Sequence, residues 1–194
     1  MPSSRMEAFS DGVIAILITV MVLELKLPNG TTWDALGGSL PKVFAYLLSF
    51  IYLGIYWNNH HHMLMVTERV DGLVLWANLH LLFWLSLVPF TTGWMGENHF
   101  AKVPSAAYGI VLFASAIAYF GLQQAIVRVQ GADSPLRAAV GRDLKGKASP
   151  GLYAAAIGLS FANRWLPLAV YVGVALMWLV PDRRVERVVI PASR

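Results

Sequence analysis

The stretch "RMEAFSDGVIAILITVMVLELKLP", residues 5–28, combines a polar beginning with an apolar run long enough to cross a bilayer. Arg5, Ser10 and Asp11 stand at its start, and Thr19 interrupts its apolar part. An isolated charge deep in a membrane costs at least about 2.5–3.5 kcal/mol, so such a side chain usually faces protein and finds partners there. The segment is therefore predicted to be a membrane helix whose role goes beyond anchoring the chain.

The composition of the whole chain fits a membrane protein. Only 13% of its 194 residues are charged and 57% are apolar, whereas soluble domains carry about 25% charged residues. The absence of cysteine excludes disulfides and thiolate metal sites. No cleavable signal pattern is present, so the first helix is expected to stay in the mature protein. Residues 1–194 are predicted to form one all-α, polytopic membrane domain.

Six apolar segments approach the length of about 20 residues that a membrane-crossing helix needs. The fifth and sixth segments are short and are separated by a tight link at Asn163 and Arg164. The predicted spans are about 8–27, 41–62, 72–95, 104–127, 149–163 and 165–181.

Basic residues predict the orientation of these spans, because cytoplasmic segments carry an excess of Lys and Arg. An even span number with a cytoplasmic N-terminus puts 11 basic residues inside, among them those of the 137–147 loop and the Arg183–Arg184 tail. The four outer ones are Lys26, Lys42, Lys102 and Arg164. Both termini are thus expected in the cytoplasm, in a multi-pass protein of the inner (plasma) membrane. The net charge of +4 indicates contact with anionic lipid, and nucleic-acid binding is not expected.

The first helix presents two different faces when each residue turns by about 100°. Ser10 and Asp11 lie about 120–140° from Ile16, on the back of the helix. An apolar stripe with one hydroxyl surrounds Ile16 and consists of Gly12, Ile16, Thr19, Val20, Leu23 and Leu27.

The polar back of the helix is expected to meet the second and third helices at matching depth. Trp57 and His61 are four residues apart and share one helix face. Asn78 and His80 are two apart and point in nearly opposite directions, so only one can join fully. The predicted cluster contains Ser10, Asp11, His61 or His60, and Asn78 or His80.

Several readings of this cluster remain open at this point. It can be a brace for the first three helices, a proton relay of a proton-coupled transporter, or an ion site. Three consecutive histidines fan out over about 200° of a helix, so a dedicated metal site is not expected. His61 and His80 as axial haem ligands form a further alternative. No Ser, His and Asp spacing suggests a hydrolase, and no enzyme activity is expected.

Three motifs resemble the transmembrane protein 175 family, whose animal members are endolysosomal potassium channels. "RMEAFSDG" at residues 5–12 fits its R-x-x-x-F-S-D pattern. "YWNNHHH" at residues 56–62 and "LWANLHLLF" at residues 75–83 are similar to its second and third helices. The resemblance implies six helices per subunit and a homotetramer in the lipid bilayer, with the first helix of each subunit lining a central pore.

The resemblance also implies residue roles. Ile16 would form the pore constriction, Thr19 would carry the hydroxyl tied to potassium preference, and Leu23 would follow one turn later. Gly12, Val20 and Leu27 would be secondary pore-facing residues. The motif network would comprise Arg5, Phe9, Ser10, Asp11, Trp57, His61, Asn78 and His80.

The expected function is a potassium-permeable cation channel without a cofactor. No "TVGYG"-like filter occurs in the chain, so an aliphatic ring that gates by dewetting is expected to replace the usual carbonyl filter. Potassium would be held only transiently, near Thr19. A proton-permeable channel that uses Asp11 and a histidine is the alternative. Glu24 is expected either at the outer pore rim or in a pair with Lys26.

Overall fold

The computed structural model describes residues 3–28, 30–67, 69–131, 136–137 and 144–179, and these contain helices and no strand. The prediction of an all-α fold is confirmed. The eight helices in these ranges are α1 (Ser3–Leu23), α2 (Trp33–Gly37), α3 (Leu40–Met65), α4 (Gly72–Ser86), α5 (Val88–Glu97), α6 (Lys102–Gln130), α7 (Leu144–Leu159) and α8 (Trp165–Leu179).

Helices occupy all six intervals in which spans were predicted. Four of them are long and apolar enough to cross a membrane, namely α1, α3, the joined α4–α5 and α6. Helix α8 is apolar but has 15 residues, and α7 has 16. The count of six crossings therefore stays a prediction. The Arg183–Arg184 tail and Arg142 lie outside the described residues.

The third predicted span is a pair of helices rather than one. Helix α4 ends at Ser86 and α5 begins at Val88, with Leu87 between them. Pro89 lies at the start of α5. Because its ring lacks an N–H and would clash with the carbonyl four residues earlier, the helix is interrupted just before it.

The first helix ends earlier than predicted. It stops at Leu23 rather than near residue 27, and Leu27 lies in an irregular segment with 88% of its surface exposed. Pro28 disfavours helical geometry at Leu27, the residue before it, so a helix does not reach that residue although the apolar run does. Leu27 is therefore not part of the helical stripe, contrary to the prediction.

The remaining helices form a scaffold against which α1 rests. Helix α1 contacts α3, α4 and α5, while α6 packs against α4, α5 and α7. Buried hydroxyls join three helices at one level, since Ser49 of α3 is 2.7 Å from Thr92 of α5 and 3.0 Å from Tyr108 of α6. Such bonds matter in a membrane, where no water satisfies polar groups.

Helices α6 and α8 cross closely at Gly109. The Tyr171 hydroxyl donates a hydrogen bond to the Ser105 carbonyl (2.9 Å) and lies where a side chain at position 109 would stand. A β-carbon there would collide with this ring. Glycine at position 109 thus fixes how α8 sits against the scaffold.

Candidate functional site

One face of α1 is buried against the scaffold. Its members follow each other at intervals of three or four residues, as expected for a single face of a helix. They are Met6, Ser10, Ile14, Leu17 and Met21. Ser10 and Ile14 are almost fully enclosed, with 0% and 1% of their surfaces exposed. This face holds α1 to the rest of the helical bundle.

The opposite face of α1 is uncovered, and it is the face on which the sequence placed the apolar stripe. Ile16 exposes 61% of its surface and Leu23 exposes 81%. Gly12, Thr19 and Val20 are also exposed. We call Gly12, Ile16, Thr19, Val20 and Leu23 the outward stripe. Nothing in the part of the chain that the structure describes covers these residues.

Arg5 and Phe9 also belong to the outward side of α1. Both are exposed, and a turn of about 100° per residue brings them within about 20° of Ile16. Neither is enclosed between the first three helices, although the resemblance assigned both to the motif network. The helical period explains this, because Arg5 and Phe9 precede Ser10 by five residues and one residue and so leave its buried face.

The hydroxyl of Thr19 has a defined orientation. It donates a hydrogen bond to the Ile16 carbonyl in the preceding turn (2.8 Å). A hydroxyl has one donor and two acceptor lone pairs. The hydrogen is therefore committed to the helix, and the oxygen can still accept a hydrogen bond or contact a cation on the exposed side.

A buried hydrogen-bonded chain ties α1 to α3 and α4 near the start of α1. Ser10 donates to the Met6 carbonyl (2.8 Å) and accepts from the amide of Asn78 (3.0 Å). The Asn78 carbonyl oxygen is 2.8 Å from Nε2 of His60. Because Ser10 takes the amide hydrogen, Asn78 offers its oxygen to His60, and His60 must donate from Nε2. We call Ser10, Asn78 and His60 the brace.

A second, more accessible set of contacts lies beside the brace. The indole N–H of Trp57 donates to a carboxylate oxygen of Asp11 (3.0 Å), and Trp57 stacks on His61 with ring centres 6.2 Å apart. Nδ1 of His61 is 2.6 Å from a carboxylate oxygen of Glu7. Two acidic residues of α1 are thus both held by α3.

The structure resolves the alternatives for the histidines. His60, rather than His61, joins Ser10 and Asn78. His80 lies outside the network, contrary to the prediction, because its Nε2 accepts a hydrogen bond from Trp84 one turn along its own helix (2.9 Å). His61 and His80 each have a different partner, so the two imidazoles do not converge on one ligand.

Glu7 stands among the polar residues at the start of the first helix, but the sequence analysis assigned it no partner. It precedes Asp11 by four residues, and residues four apart lie on the same side of a helix. That spacing to a carboxylate already under consideration was the available signal. No such spacing indicates whether His60 or His61 meets Asn78, since this depends on the rotation of α3, which packing determines.

The far end of α1 is held by ion pairs. A carboxylate oxygen of Glu97, at the end of α5, is 2.8 Å from the Lys26 ammonium and 3.4 Å from that of Lys42. The hydrogen bond and charge of Glu97 raise the pKa of Lys26. Lys26 thus makes its ion pair with Glu97, not with Glu24 as one alternative proposed. Glu24 is exposed at the end of α1.

These features define a class of protein: an all-helical membrane protein whose first helix is braced on one side and uncovered on the other. Comparison with known proteins identifies the family. The family model described as "Endosomal/lysosomal potassium channel TMEM175" matches residues 5–89. Those residues contain both the outward stripe and the brace.

Relatives match over nearly the whole chain. A potassium channel of Chryseobacterium sp. (strain P1-3) is 51% identical over 187 residues, which cover 96% of this chain and 97% of the relative. The crystal structure of a lysosomal potassium-selective channel TMEM175 homolog from Chamaesiphon minutus superimposes with a TM-score of 0.82 at 30% identity, covering 92% of this chain and 96% of that one. The chain belongs to the TMEM175 family of ion channels.

Animal relatives are much longer. The endosomal/lysosomal proton channel TMEM175 of Danio rerio is 29% identical over 138 residues, which make up 69% of this chain and 26% of the zebrafish protein. The similarity to these proteins is therefore to about a quarter of their length.

Proposed function

We propose that this chain is a potassium-permeable channel whose outward stripe lines a shared pore. The observation that carries the proposal is the exposure of Ile16 and Leu23 on the side of α1 opposite its buried face. A row of uncovered side chains, on a helix fastened by its other side, is available to a partner outside its own subunit. Copies of α1 from neighbouring subunits, arranged around an axis, supply one.

The proposed constriction is a ring of Ile16 side chains. Hydrophobic constrictions gate by dewetting, because water leaves a narrow apolar passage. An ion must shed part of its hydration shell to pass. Sodium holds its shell more strongly than potassium, so such a ring favours potassium to a modest degree.

Thr19 lies next to this ring and supports the same preference. Its hydroxyl hydrogen is bonded to the Ile16 carbonyl, so its oxygen lone pairs are free to face the axis. A ring of hydroxyl oxygens can replace part of the water lost at Ile16. Potassium would reside there briefly, with no permanent ligand.

The brace supports a structural role for Ser10, Asn78 and His60 rather than a proton relay. Its hydrogen bonds run in one direction and end at the Met6 carbonyl, which has no proton to pass on. Asp11 and Glu7 are each held by a donor on α3. The carboxylates therefore position α1, and conduction is assigned to the outward stripe.

The proposed assembly is a homotetramer in the inner (plasma) membrane with both termini in the cytoplasm. The basic residues of the sequence favour this orientation. Glu24, exposed at the end of α1, would lie near the outer mouth and attract cations.

Substitution of the ring residue tests the proposal. In reconstituted bilayers, Ile16→Asn is expected to raise conductance or leak, because an amide keeps water in the constriction. Ile110→Asn, at a half-exposed position on α6, is the matched control and should leave currents unchanged. Unchanged currents in Ile16→Asn, or equal increases in both variants, would reject the pore assignment.

A further inference from the structure

The four basic residues at the end of the bundle away from Ser3 divide into two pairs. Lys26 and Lys42 both contact Glu97, which neutralises part of their charge. Lys102 and Arg164 have no carboxylate partner among the residues that the structure describes. Basic residues are scarce at this end, so a pair without a counter-charge calls for a reason.

Lys102 and Arg164 line the same open concavity. It has a volume of about 530 Å³ and lies between the α5–α6 turn and the α7–α8 turn. No Asp or Glu is among its lining residues. Its polar and aromatic groups are Asn98, His99, Lys102, Asn163, Arg164 and Trp165.

The backbone adds to the positive character of this concavity. Helix α6 begins at Lys102, and its N-cap residue Ala101 provides no side-chain cap. The first N–H groups of a helix have no partner within the helix, and they favour anions at that end. Asn163 already accepts from the backbone N–H of Trp165 (2.8 Å), so α8 contributes less.

Aromatic side chains place the concavity at the level of lipid headgroups. Trp165 and Phe161 are exposed beside it, and exposed tryptophans are enriched where membrane meets water. The Arg164 guanidinium lies 5.8 Å from the centre of the Trp165 ring. A cation stacked on an interfacial tryptophan is within reach of a lipid phosphate.

We propose that Lys102 and Arg164 bind the phosphate of an anionic phospholipid, with its acyl chains along the exposed aromatic side chains below. The charge of the concavity matches a headgroup of net negative charge, whereas the choline of a zwitterionic lipid would offset the attraction. Both residues lie beyond the 5–89 region shared with the family model. The proposal does not depend on where the pore runs.

Lipid retention in native mass spectrometry tests this site. The full-length protein in detergent would be titrated with phosphatidylglycerol and, separately, with phosphatidylcholine. An exposed ion pair contributes up to about 1 kcal/mol, so Lys102→Gln/Arg164→Gln is expected to weaken phosphatidylglycerol binding by up to about 30-fold. Phosphatidylcholine retention should not change. Both side chains are exposed, so little packing is lost.

Matched variants separate this site from general charge effects. Lys26→Gln removes one positive charge at the same end but from a residue already paired with Glu97, and it should bind phosphatidylglycerol like the wild type. Arg164→Lys retains the charge and should retain most binding. The proposal fails if the double variant binds as the wild type does, or if Lys26→Gln loses as much. Equal thermal stabilisation by inorganic phosphate and by phosphatidylglycerol would also overturn it, since the site would then hold a free anion.

Discussion

The two faces of α1 differ in what fixes them. The inner face is enclosed by α3, α4 and α5, and its one buried hydroxyl, Ser10, has both a donor and an acceptor partner. The outward stripe is apolar apart from Thr19, and the described residues leave it exposed. About 13.5 Å of helix length, the rise of nine residues, separates Ser10 from Thr19, and the first hydroxyl is buried whereas the second is exposed.

This contrast shows how a membrane helix can be fastened by one face while its other face stays uncovered. In a membrane, apolar side chains gain little by leaving lipid for protein, so helices are held by close packing and hydrogen bonds. The brace supplies such bonds at one end of α1. The outward stripe takes no part in this packing among the described residues, because its side chains are exposed.

The largest difference in thermal stability is expected between substitutions of two isoleucines that stand two positions apart on α1. Ile14 is buried and Ile16 is exposed. Ile14→Ala leaves a cavity, which in protein cores costs about 2–5 kcal/mol, and it should lower the melting temperature of the detergent-solubilised protein clearly. Ile16→Ala should leave folding of the subunit nearly unchanged and alter currents instead. Equal loss of stability in both variants would show that the faces are not distinct.

The brace provides the next largest effect. Asn78→Leu leaves the His60 N–H without its acceptor, and an unsatisfied buried group costs about 1–3 kcal/mol. Asn98→Leu is the matched control, because Asn98 is exposed and bonds within its own turn (2.8 Å to the Trp94 carbonyl). Thermal unfolding should separate the two variants. A similar small shift in both would mean that the brace does not hold α1.

The fold was largely predictable because hydropathy and length identify membrane helices directly. The points at which the helices break or end were not predictable in this way. Pro89 was visible in the third span, but whether a proline bends a membrane helix or divides it depends on the neighbouring helices. The end of α1 at Leu23 was concealed by apolar residues that continue past it. Composition records which residues prefer lipid, and it does not record where the backbone stops being helical.

The two faces of α1 could be predicted from the sequence, whereas the hydrogen-bonded pairs of residues could be predicted only in part. A period of about 100° per residue separates Ser10 from Ile16 without any structure. The same period cannot tell whether His60 or His61 faces α1, because the rotation of α3 about its own axis is not known from the sequence. His80 was misassigned although a local partner, Trp84, follows it by four residues. Sequence reasoning could thus reach contacts within one helix and could name the helices that meet, but it could not choose the individual partners between helices.

The proposed role of the exposed Thr19 hydroxyl, in contrast to the buried one of Ser10, can be tested by ion selectivity. Thr19→Val keeps the shape and removes the oxygen. Since a hydrogen bond contributes about 0.5–1.5 kcal/mol net, the potassium-to-sodium permeability ratio should fall by up to roughly tenfold. Thr19→Ser keeps the hydroxyl and should keep the ratio. Reversal potentials under bi-ionic conditions measure both, and an unaltered ratio in Thr19→Val would remove Thr19 from the ion path.

Substitution of Glu97 is expected to change the melting temperature least. It allows the two ends of α1 to be compared. The brace is buried and neutral, whereas the contacts of Glu97 with Lys26 and Lys42 are exposed and charged. Exposed ion pairs contribute little and are screened by salt, with a screening length of about 10 Å at 0.1 M. Glu97→Gln should therefore lower the melting temperature slightly at low potassium chloride and not at high concentration, while Asn78→Leu should be destabilising at both. A salt-independent loss in Glu97→Gln would show that the far end of α1 is held as firmly as the braced one.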